Sequence, residues 1–61
     1  MDLPKIGAPA TRALAEAGIT RLTEVARLSE HELQALHGVG PKAVRVLREA
    51  LAEQGLAFSR N

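Results

Sequence analysis

Leu33-Gln34-Ala35-Leu36-His37-Gly38-Val39-Gly40-Pro41-Lys42-Ala43 is the stretch on which the fold turns. Leu33 and Leu36 have the spacing of an apolar helix face, two glycines interrupt it, and Pro41 suits the first turn of the helix that follows. A glycine, apolar, glycine turn leaves successive backbone N–H groups unshielded by side chains. It opens directly onto a helix N-terminus whose first amides are unpaired and carry partial positive charge. That arrangement suits an anion. Val39 is expected to point inward and hold the turn, while Lys42 and Arg45 add mobile positive charge beside the amides. Because β-branched residues tolerate unusual φ poorly, Gly40→Val is expected to damage the backbone of the turn.

Downstream, Ala43, Val44, Leu47, Ala50 and Leu51 form one apolar stripe of a helix, and Lys42, Arg45 and Glu49 share its opposite face. Gly55 followed by Leu56 marks its stop. Upstream, Ser29 and Glu32 have capping-box spacing, and Leu28 and Leu33 occupy the positions of a hydrophobic staple, so a helix begins there and is expected to run through Leu36. Thr20 is expected to cap a brief helix carrying Leu22, Val25 and Ala26 inward and Arg21, Glu24 and Arg27 outward. Nearer the N-terminus, Pro9 suits the first turn of a helix with Ala10, Ala13, Leu14 and Ala17 on its apolar face. Gly18 stands where a left-handed cap belongs, and Ile19 is placed to fold back on Leu14.

The first and last of these helices are related. Sliding the sequence by 33 places Leu3, Gly7, Ala10, Arg12, Leu14, Glu16 and Ala17 over identical residues, seven identities in fifteen. The repeated unit is a tight turn followed by a helix. Two copies are too few for a solenoid and predict a compact pseudo-twofold pair. The first copy has no helix before its turn and carries Lys5 where the second has Gly38. Its Leu3, Ile6 and Leu14 are therefore expected to be exposed.

The remaining arithmetic is consistent with this. Sixty-one residues allow one small domain, here 1–61, divided into repeat 1 at about 3–18, a connector helix at about 20–28 and repeat 2 at about 29–55. Strand signals are almost absent, so the chain reads as all-α, a compact bundle of four or five short helices. Alanine supplies 11 of the apolar residues and Phe58 is the one aromatic, which leaves nine leucines, four valines and two isoleucines to build the core. With no cysteine there is neither a disulfide nor a thiolate metal site, and a reducing, cytoplasmic setting is expected. No apolar run reaches the roughly 20 residues of a membrane span, and Met1-Asp2-Leu3-Pro4 lacks a signal pattern.

Net charge is only +1. Its distribution is uneven, because residues 37–48 hold Lys42, Arg45 and Arg48 with no acid, whereas residues 16–36 are net acidic. Enzyme constellations are missing: two serines, His31, His37 and scattered glutamates build no nucleophilic triad or carboxylate pair, and the two imidazoles have no third ligand at metal-binding spacing. The absence of Trp and Tyr removes the stacking platform of single-strand binders.

Leu33, Leu36, Gly38-Val39-Gly40, Ala43 and Leu47 resemble the helix-hairpin-helix motif of nucleic-acid-binding proteins. Over residues 3–57 the pattern is similar to the C-terminal domain of the bacterial RNA polymerase alpha subunit and to related stand-alone, SAM-domain-like modules. The resemblance implies a non-catalytic, cytoplasmic, bacterial module that binds double-stranded DNA through phosphates with little sequence preference. It implies contacts at Gly38, Val39, Gly40, Lys42, Ala43 and Arg45, with secondary contacts at Lys5, Gly7, Thr11 and Arg12, and a monovalent cation as an optional occupant of the Gly38–Gly40 hairpin. It does not support recognition of a specific promoter element, since Thr11 and Arg12 stand where the polymerase domain offers an arginine and asparagines. The alternative expectation is a protein-interaction or adaptor domain, self-associating through the apolar surface that an incomplete first repeat exposes.

Overall fold

Helix starts and stops dominate the architecture. In the computed structural model, which describes residues 3–60, the order is α1 (Ala8–Glu16), α2 (Leu22–Val25), α3 (Glu30–Gln34) and α4 (Pro41–Glu53). The expectations that touch Met1, Asp2 and Asn61 lie outside the described residues.

α3 begins as its sequence dictates. The Glu32 amide donates to Ser29 Oγ at 3.0 Å and the Ser29 amide donates to Glu32 Oε1 at 2.9 Å, a reciprocal capping box. It ends at Gln34, earlier than expected; Leu36 already belongs to the turn, its amide reaching only as far back as Leu33. α2 also departs from expectation. Thr20 is not its cap: the helix starts after Arg21, and the Glu24 carboxylate folds back to accept from the amides of Thr20 and Arg21 at 2.8 and 3.0 Å. A carboxylate serves two orphan donors where a hydroxyl serves one, which explains why Glu24 takes the position. These hydrogen bonds hold its carboxyl below the ordinary value of 4.5.

α1 and α4 end alike. Gly18 and Gly55 take φ of +80° and +72°, and the amides of Ile19 and Leu56 donate to the carbonyls of Leu14 and Leu51, both at 2.8 Å. With Gly18 bonded to Ala15 and Gly55 to Ala52, each end is a complete Schellman motif. The two helices start 33 residues apart, and their stop glycines are 37 apart, so α4 is the same unit extended by one turn.

The core follows from the apolar stripes. Leu14, Leu22, Val25, Leu33, Val44, Leu47 and Leu51 are almost completely buried, and α4 packs against both α2 and α3. Burial of each such leucine stabilises the fold by about 1.5–3 kcal/mol. The expected exposure of the first repeat is corrected here. Leu14 has no exposed surface, and Leu3 and Ile6 are half-buried against the core. Lys42, Ala43 and Val46 at the start of α4 line one groove with Lys5, Ile6 and Gly7 of the first turn. The C-terminal segment adds cover elsewhere: Leu56 and Phe58 pack on the core, and the Ser59 amide donates to the Leu28 carbonyl at 2.9 Å. No described helix is long and apolar enough to cross a membrane.

Candidate functional site

The second turn is built from one inward anchor and two unlike glycines. Val39 is buried and its amide donates to the Leu36 carbonyl at 3.2 Å. Its role is therefore to hold the turn by its side chain, and its own N–H is already engaged. The next amide with a backbone acceptor in this region is Val44, which donates to Gly40 at 3.1 Å. Pro41 has no N–H. That leaves the amides of Gly38, Gly40, Lys42 and Ala43 without an acceptor among the described residues. Gly38, Gly40 and Lys42 are exposed, while Ala43 is buried as a residue.

The two glycines have different tasks. Gly40 adopts φ −99° and ψ 179°, ordinary extended backbone, and a methyl added there meets nothing within 4 Å. The expectation that Gly40 holds the unusual backbone is thus corrected. Gly38 holds it, with φ +98°, and an added methyl would lie 2.9 Å from the carbonyl oxygen of Pro9. The second turn is pressed against the start of α1. The first turn and the start of α4 line a groove of their own, so each turn lies beside the start of the other repeat's helix.

The first turn is not a copy of the second in its backbone. Lys5 stands at the position equivalent to Gly38, no described residue other than glycine takes positive φ, and the positive φ moves to the helix cap, Gly7, at +92°. Thr11 and Arg12 are exposed on α1, and the Thr11 amide is already bonded to Gly7 at 3.0 Å.

The charge around the site also differs from the sequence window. Arg48 reaches across to α3 and pairs with Glu30 at 2.6 Å, and this hydrogen bond holds its guanidinium pKa above the ordinary arginine value. Arg45 lies 3.7 Å from Glu49, one turn on. Of the three cations in the window, Lys42 is the one that forms no ion pair among the described residues. Arg12 and Glu16 form no ion pair among the described residues, although both line a groove with Pro9, Ala13, His37 and Gly38. Nothing local in the sequence signals the Glu30–Arg48 pair or the Pro9–Gly38 contact, because each joins residues of different elements. His31 and His37 are exposed, and no group of three or more His, Asp or Glu residues gathers for a metal among the described residues.

No curated protein and no solved structure matches this chain significantly. The narrower likeness to the polymerase alpha subunit accordingly has no counterpart among them. A family model does match, over residues 1–53, spanning both turns, the capped connector and all but the final stop of α4. The chain belongs to the SAM-like helix-hairpin-helix tandem family.

Proposed function

We propose that this chain is a non-catalytic module that binds double-stranded DNA by its phosphates, with little sequence preference. Helix-hairpin-helix domains generally bind nucleic acids or proteins. The observation that carries the DNA reading is the set of amides at Gly38, Gly40, Lys42 and Ala43 without a backbone acceptor, beside the Lys42 ammonium, which forms no ion pair among the described residues, at the start of a 13-residue helix. Backbone donors recognise phosphate oxygens without reading bases, which accounts for weak sequence preference. Arg45 adds charge through a guanidinium held loosely by Glu49. A monovalent cation at Gly38–Gly40 remains compatible with this reading as an accessory to the phosphate contact. Leu14 is buried and Leu3 and Ile6 are half-buried against the core, which leaves less of the apolar surface on which the adaptor alternative rests.

Fluorescence anisotropy of a labelled duplex tests the proposal. Lys42→Glu is expected to weaken binding strongly while changing stability by no more than about 0.5 kcal/mol, as is usual for an exposed position. Unchanged affinity in that variant would show the assignment of Lys42 to be wrong.

A further inference from the structure

The groove between the first turn and α4 has walls of Lys5, Ile6 and Gly7 on one side and Lys42, Ala43 and Val46 on the other. It is the repeat-equivalent of the groove between the second turn and α1, since a shift of 33 carries Lys5 onto Gly38, Pro9 onto Lys42 and Ala13 onto Val46. The two grooves differ in charge. Beside the second turn, the Glu16 carboxylate accompanies Arg12 and His37. Beside the first, Lys5 and Lys42 are the charged residues among the described lining, and neither forms an ion pair among the described residues.

Two lysines that line one recess carry like charges, which gain nothing from each other in the free protein. The apolar wall of Ile6, Ala43 and Val46 offers them no side-chain acceptor. A singly charged diester phosphate seated between them offsets their like charges and accepts a charge-assisted hydrogen bond from each. Neither repeat holds such a site alone, because Lys5 comes from one and Lys42 from the other.

We propose that Lys5 and Lys42 form a composite site for one backbone phosphate, assembled from both repeats. The lysine at the position of the first hairpin glycine then supplies a cation to the interface. This proposal rests on the duplex-binding reading above and is separable from it by experiment.

The full chain, Lys5→Gln, Lys42→Gln and the double variant are titrated with a labelled duplex across a salt series. Each single variant is expected to weaken binding roughly fivefold, within the range of exposed ion pairs. The double variant loses less than the product of the two, because the residues share one partner. Its log K against log salt slope becomes shallower by about 0.9, the loss of one phosphate. Wild-type behaviour of Lys5→Gln beside a weakened Lys42→Gln overturns the composite site and leaves duplex binding intact. A slope change of about 1.8 in the double variant, with multiplying losses, overturns it by assigning two separate phosphates. Absence of any salt-dependent binding by the wild-type chain removes the underlying reading and this proposal together. In a parallel arm with inorganic phosphate at matched ionic strength, amide shifts at Ile6, Gly7 and Lys42 that vanish in Lys5→Gln, without an effect of that variant on duplex affinity, assign the site to a free anion and overturn its backbone role.

Discussion

Gly38 and Gly40 look interchangeable in the sequence and are opposites in the structure. Gly38 combines φ +98° with a carbonyl oxygen 2.9 Å from where a side chain would begin, so Gly38→Ala adds backbone strain and a collision with Pro9. Its cost is expected to be about 2 kcal/mol or more in urea unfolding. Gly40→Ala meets open space and an allowed backbone. The reduced entropy of the unfolded chain offsets the poorer capping of alanine, so its net effect is expected within about 0.5 kcal/mol of zero. Equal losses for the two variants would contradict this division of tasks. The glycine, valine, glycine pattern and the inward valine were legible from residue types alone. Which glycine is constrained was not, because the constraint comes from Pro9 in the other repeat. The same distinction applies to charge: Lys42, Arg45 and Arg48 were readable as a positive window, but the acid that claims Arg48 lies on another helix.

At the scale of the elements, caps do much of the specifying. Ser29 is buried and its Oγ accepts from the Glu32 amide at the start of the third helix, so Ser29→Ala is expected to destabilise the fold by about 1 kcal/mol, measured by thermal or urea unfolding. Glu24 makes a prediction about pH. Its carboxyl is held below its ordinary 4.5 by amides it meets only in the folded chain, so the ionised form favours folding. That stabilisation is complete above the unfolded value and is lost as pH falls through the lower, folded one. The thermal midpoint of Glu24→Gln is therefore expected to lie below wild type near pH 7, with the gap closing in acid below the ordinary carboxylate range. A gap that persists or widens in acid would contradict the capping role. The serine cap and the glycine stops could be read ahead because they are local signals. The Glu24 cap is less legible because Thr20 is itself a common cap residue, whereas in the structure its amide and hydroxyl both donate to Glu24.

For the whole molecule, each turn lies beside the start of the other repeat's helix, and along that edge the proposed contacts gather. The internal repeat made two turn-and-helix units legible, but not the approach of Gly38 to Pro9 that joins them. A chain that engages about three or four phosphates along this edge should show a log K against log salt slope of roughly −3 to −4, with isolated affinity near 10⁻⁴ to 10⁻⁶ M. A slope near zero would exclude phosphate contact as the source of binding. The most direct measurement is a low-salt NMR titration of the labelled chain with duplex DNA, followed at the backbone amides of residues 38–45. The account predicts progressive shifts at Gly38, Gly40, Lys42 and Ala43, whose amides are open, and smaller ones at Val39, whose amide is bonded to Leu36. Unmoved amides at all four open positions, with the duplex in excess, would contradict it.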